Sequence, residues 1–187
     1  MEYYQQYYIA RLDEPTEPMM IGKIFQKAWC DPKYPYEREL NRLGFTSEKT
    51  RVIKTALEHP ALIKSDTWQT EYRIDVAPVQ YRAKEFGLTY PIMGSLDGYD
   101  RGVVLENKIG YPWNQQRADE STQITWYSIL VYVKHGIIPN SIIQSVNGKH
   151  GIPALFKTKR TKKQLKEMVE EINSMVAFLE AGDFNQY

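Results

Sequence analysis

Residues 103–109, VVLENKI, restrict this chain more than any other stretch. Val103, Val104, Leu105 and Ile109 give the run the character of a strand, yet Glu106 and Lys108 stand two apart within it. Strand alternation puts Val104, Glu106 and Lys108 on one face. A charge among aliphatic side chains is costly unless it is paired, so the fold has to supply a partner. Asp97, just upstream, is the candidate. Residues 91–98 and 102–109 read as a hairpin around Tyr99-Asp100-Arg101-Gly102. A two- or four-residue loop centred on Asp100-Arg101 sets Asp97 opposite Val104, with Glu106 its diagonal neighbour on the same face, about 7–8 Å away at Cα. Two carboxylates at that spacing can converge on one cation. A three-residue loop reverses the parity and calls for a bulge to restore the convergence.

The ligand set suits Mg²⁺, a hard ion that takes one or two carboxylates and fills its remaining positions with water and substrate phosphate. Mn²⁺ fits the same ligands. The backbone carbonyl of Asn107 adds a further oxygen. Lys108 is spaced to orient an attacking water or to offset charge on phosphorus. The same residues also compose an ordinary sheet ion pair of Glu106 or Asp97 with Lys108. A second acid-x-Lys triplet, Asp31-Pro32-Lys33, is set aside because proline does not sit within a central strand.

Around the hairpin the pattern is that of an α/β chain. Residues 20–29 and 46–60 read as helices ended by Asp31-Pro32 and Pro60, the second with a partly matched capping box at Thr46 or Ser47. Residues 67–76 alternate as a strand. Residues 118–136 form a long helix with Asp119, Glu120 and Ser121 at its start and Lys134, His135 and Gly136 at its end. Two strands follow, 141–146 and 154–159. Thr161 then caps a last helix with an apolar stripe of Leu165, Met168, Val169, Ile172, Met175, Val176 and Leu179. This order predicts a central sheet covered by helices. It is read as one domain over 1–187: a helical part at 1–66, sheet and helix at 67–160, and a C-terminal helix at 161–180.

A single cysteine, Cys30, excludes an intrachain disulfide framework and a cysteine-based metal cluster, and points to a reducing compartment. No run of 18 apolar residues occurs, and the start of the chain lacks the basic and apolar regions of a signal peptide, so neither a membrane span nor secretion is expected. Gly148-Lys149 lacks the rest of a P-loop, so no nucleotide site is expected. His59, His135 and His150 show no metal-binding spacing.

The run IMGSLDGYDRGVVLENKIG followed by QITWY resembles the PD-(D/E)XK nuclease superfamily, in its RecB-like, lambda-exonuclease-like branch. The matching motifs are G-x-x-D at Gly94–Asp97, (D/E)-x-K at Glu106–Lys108 and Q-x-x-x-Y at Gln123–Tyr127. The resemblance covers roughly residues 70–135. It implies a restriction-endonuclease-like core with a central mixed β-sheet. It also implies a metal-dependent DNA exonuclease that hydrolyses phosphodiester bonds at DNA ends in recombination, repair or viral DNA processing. Alternatives are a sequence- or structure-specific endonuclease and an inactive binding module of the same fold. Asp97 and Glu106 would bind Mg²⁺, Lys108 would assist attack, and Gln123 and Tyr127 would face the site and the DNA backbone. The branch often carries a histidine on its first helix, where this chain has Gln26. Other members use an upstream acid, for which Glu71 is the candidate here; the alternative is an ordinary exposed strand glutamate. The cysteines of an iron–sulfur cluster are absent, so none is expected. The implied setting is the cytoplasm of a bacterial or virus-infected cell. A second copy of the chain or a recombination protein is the partner class.

Formal net charge is only +1, so bulk charge does not advertise nucleic acid. Its distribution does. Lys157, Lys159, Arg160, Lys162, Lys163 and Lys166 crowd KTKRTKKQLK, where basic residues oppose the dipole of the helix that follows. Phosphate contact is the functional reading of this run. Trp113, in Tyr111-Pro112-Trp113, either lines the DNA path or anchors its loop. Tyr3, Tyr4, Tyr7 and Tyr8 either stack on bases or pack on protein.

Overall fold

The structure, a computed structural model, describes residues 15–181, so Tyr3, Tyr4, Tyr7 and Tyr8 lie outside the described residues. The chain forms two compact units. The first runs to Lys64 and also takes in Lys108–Pro112 and Ser145–Ala154. The second holds Ser65–Asn107, Trp113–Gln144 and the chain from Leu155 onward.

In the first unit three helices, α1 (Glu17–Cys30), α2 (Tyr36–Arg42) and α3 (Ser47–Glu58), contact one another. Helix α1 carries Pro18 in its first turn, where the missing N–H costs nothing, and it stops ahead of Pro32. Its buried face is Ile21, Ile24, Phe25, Ala28 and Trp29. The Trp29 indole N–H donates to the Ile63 carbonyl at 2.7 Å. Helix α3 buries Val52, Ile53 and Ala56, but the Thr46 side chain makes no capping bond, so the expected capping box does not form. Helix α2 was not expected; it buries Leu40 alone, too little to leave a periodic signal.

After Ser65 the chain forms β1 (Gln69–Val76), the short helix α4 (Tyr81–Glu85), β2 (Ile92–Asp100) and β3 (Val103–Gly110), the last three residues of β3 counting with the first unit. Helices α5 (Gln115–Asp119) and α6 (Thr122–His135) follow, then β4 (Asn140–Asn147), β5 (Pro153–Lys159) and α7 (Lys162–Glu180). The strands make one mixed five-stranded sheet in the order β1-β2-β3-β4-β5, flanked by helices, as expected for a restriction-endonuclease-like core. Strands β1 and β2 are antiparallel, and so are β2 and β3. Helix α6 packs on β1, β2 and α7, and its buried Ile124, Tyr127, Ile129 and Leu130 join Ile74, Leu96, Val104, Ile143, Leu165 and Val169 in one apolar core.

Two local findings correct the sequence reading. The long helix does not start at 118. Asp119 closes α5, and Ser121 begins α6 as its N-cap, accepting from the Ile124 N–H. Asp119 and Glu120 therefore sit at the end of one short helix rather than at the head of a long one. The other end is as expected: Gly136, with φ of 79°, supplies the left-handed cap. The expected cap of α7 is also found, as a full capping box between Thr161 and Gln164. The stripe of α7 buries Leu165, Val169 and Ile172 but leaves Met175 exposed, so its last turn covers less than the pattern suggests.

Candidate functional site

The turn of the β2–β3 hairpin falls one residue later than expected. Arg101 and Gly102, with φ of 39° and 87°, form a two-residue loop. The pairs are Asp100↔Val103, Tyr99↔Val104 and Gly98↔Leu105. Val104 is thus opposite Tyr99 and not opposite Asp97. The regular ladder stops at Gly98↔Leu105, one step short of Asp97 and Glu106, so the expected diagonal spacing is not found.

Beyond that ladder a side chain bonds across to β3. The backbone N–H of Asn107 donates to Asp97 Oδ2 at 2.8 Å. Asp97 is half-buried, and Glu106 is buried at 3% exposure. A carboxylate as deeply placed as Glu106 calls for positive charge or donors around it. On the far side of β3, Gln144 of β4 is fully buried and its Nε2 donates to Asn107 Oδ1 at 2.8 Å. The site therefore rests on three strands. Lys108, two residues past Glu106 in β3, is half-buried and belongs to the first compact unit.

Gln123 and Tyr127 meet on α6, as a spacing of four requires: Gln123 Nε2 donates to the Tyr127 hydroxyl at 2.7 Å. Tyr127 is buried in the core and Gln123 is half-buried. The motif glycine also has a reason. A Cβ on Gly94 would lie 2.7 Å from Leu130 Cδ1 and 3.3 Å from Trp126 Nε1, so its absence lets β2 approach α6.

Glu71 is exposed, with φ of 49°, in the left-handed region where a residue other than glycine is strained. It falls between the pairs Thr70↔Gly98 and Tyr72↔Leu96, and so across from Asp97. Among the described residues no group of three or more His, Cys, Asp and Glu side chains converges, so Glu71 does not complete a three-acid cluster. In the first unit Gln26 donates to Cys30 Sγ at 3.4 Å.

The basic run divides. Arg160 is interior, at 3% exposure, which corrects its assignment to the DNA-binding surface. Its guanidinium donates to Thr125 Oγ1 at 2.8 Å and Thr158 Oγ1 at 2.7 Å. It also donates to the carbonyls of Ala118 at 3.0 Å and Ser121 at 2.8 Å. Burial pulls its pKa down, and Asp119 opposes that shift. Phe156, Thr158 and Arg160 continue the inward alternation of β5, a signal the charge run concealed. Lys162 pairs with Glu85 Oε1 at 2.7 Å and lies over the Tyr132 ring, while Lys163 approaches Glu167 at 3.6 Å. Lys157 and Lys159 are exposed. Trp113 is half-buried against the core, with the Arg117 guanidinium 4.8 Å from its ring, a loop anchor by its contacts.

The two carboxylates fit a divalent cation by their chemistry. One is buried, one is half-buried and bonded to the Asn107 amide, and Asn107 offers a backbone oxygen nearby. Two carboxylates are the usual protein contribution to a Mg²⁺ site.

Comparison with protein-family models gives no match, and comparison with curated proteins gives none. Among solved structures, a candidate exonuclease from Eubacterium rectale superposes with a TM-score of 0.65 at 14% identity, covering 98% of this chain and 81% of that one. That likeness is one of fold. No helix among the described residues is long and apolar enough to cross a membrane.

Proposed function

We propose that the chain is a divalent-metal-dependent DNA exonuclease that hydrolyses phosphodiester bonds at DNA ends. The observation that carries this reading is the link between the hairpin strands at the two acids: Asp97 accepts from the amide of Asn107, the residue next to buried Glu106. The likeness in fold to a candidate exonuclease supports it.

In this reading Asp97, Glu106 and the Asn107 carbonyl hold Mg²⁺, with Mn²⁺ as a substitute. When bound, the ion supplies Lewis-acid polarisation of a phosphoryl oxygen and a lowered pKa for bound water. The protein's own part is positioning. The Asn107 N–H fixes the Asp97 carboxylate, and burial fixes Glu106. Lys108 stabilises negative charge at phosphorus and orients the attacking water. Gln123 and Tyr127, joined by their own hydrogen bond, turn toward the site and the DNA backbone. Lys157 and Lys159 supply phosphate contacts. Recombination, repair or viral DNA processing is the setting, within the cytoplasm.

The test uses end-labelled linear duplex and covalently closed circular duplex, each with Mg²⁺, Mn²⁺ or chelator. Linear DNA should be shortened with either metal and spared with chelator, while closed circles persist. Efficient cutting of closed circles identifies an endonuclease instead. Intact linear DNA under every condition leaves the inactive binding module.

A further inference from the structure

We infer that Gln144 is a positioning residue for the metal site, acting through Asn107; this rests on the function proposed above. Gln144 lies in β4 among Ile143, Ser145 and Val146, all buried, and is itself fully buried. An amide there costs free energy unless it is bonded, and an aliphatic residue would fill the same space without that requirement. Its Nε2 is spent on Asn107 Oδ1 at 2.8 Å. Asn107 is the middle residue of Glu106-Asn107-Lys108. Its amide holds Asp97 Oδ2 at 2.8 Å, and its carbonyl is a candidate ligand. Tying down the Asn107 side chain fixes the backbone whose N–H holds Asp97, one peptide on from Glu106. One buried amide thereby steadies the site from the neighbouring strand. Outer partners of this kind tune metal affinity by about 10–100-fold.

The experiment compares wild type with Gln144→Met, which keeps length and apolar fit, and with Asn107→Ala, which keeps the backbone N–H and carbonyl but removes Oδ1. Mn²⁺ affinity is read by calorimetry on DNA-free protein, and the Asn107 amide proton shift is read by NMR on metal-free protein. Each variant should weaken Mn²⁺ binding about tenfold or more and move the amide signal, while melting cooperatively. The double variant should bind no more weakly than the worse single one, because both act on one contact. Unchanged Mn²⁺ affinity in either folded variant overturns the inference, as does additivity in the double. A wild type that binds no Mn²⁺ overturns the nuclease reading, and this inference with it. A wild type that binds Mn²⁺, beside variants that bind equally well, overturns this inference alone. Should Gln144→Met not fold, Asn107→Ala decides by itself.

Discussion

Asp97 accepts a hydrogen bond from the Asn107 backbone N–H at 2.8 Å, so a side chain of β2 bonds directly to the backbone of β3. That bond fixes the Asp97 carboxylate before any ion arrives. Asp97→Asn keeps an acceptor for the Asn107 amide while removing the negative charge; Glu106→Gln keeps shape at the buried position. Each should lose metal-dependent cleavage by roughly a hundredfold or more, beyond the effect of outer-sphere changes. Initial rates across a Mg²⁺ titration check this, and near-normal cleavage by either variant would remove the site.

Much of the fold was legible because its signals are repetitive. The alternation of 67–76, the stripe of α7 and the Gly136 stop each declare an element through many residues or through one special conformation. The hairpin register was not legible, because it turns on Arg101 adopting positive φ, which arginine does not advertise. Helices α2, α4 and α5 are five to seven residues long and each buries a single residue. The acids of the site were readable as charges in an apolar strand. Gln144 was not, because a polar residue in SIIQSV has no meaning until β4 is seen beside β3. Arg160 was misassigned because its neighbours in sequence are lysines in solvent.

Arg160→Ala should destabilise the protein by about 3 kcal/mol, since it strips donors from one buried and one half-buried carbonyl and from two hydroxyls. For a chain of this length that is about 6–12 °C in melting temperature. Arg160→Lys should not rescue it, because one ammonium does not span four acceptors. Calorimetry measures the loss, and a melting temperature within a degree of wild type would contradict the interior role.

Lys157 and Lys159 remain exposed on β5. Replacing both with Ala should lower the slope of log K against log salt by about 1–2 for duplex DNA and leave the melting temperature unchanged. Fluorescence anisotropy over a salt series reads the slope; an unaltered slope would take this strand edge off the DNA path.

Lys162 donates to Glu85, and this bond, with one from the Tyr132 hydroxyl, holds the Glu85 carboxyl below its ordinary 4.5. The same bond raises Lys162 above 10.5. A lowered acid contributes stability that is present above its unfolded pKa and lost as pH falls through the folded one. A raised lysine contributes stability that is present below its unfolded pKa and lost as pH rises through the folded one. Glu85→Gln should therefore be less stable than wild type near neutrality, with the gap closing in acid below pH 4.5 and again in alkali above pH 10.5. Denaturant midpoints at four or five pH values would show this; a gap independent of pH would mean the pair contributes nothing.

Arg160 also dictates an order of events. The carbonyls of Ala118 and Ser121, at the corner that aims Gln123 and Tyr127, acquire their cation from a residue made some forty positions later. During synthesis that corner has to wait, unset, until the fifth strand has emerged and docked. A nascent chain halted before residue 160 would carry the acids of the hairpin beside a corner whose two carbonyls still lack their donor.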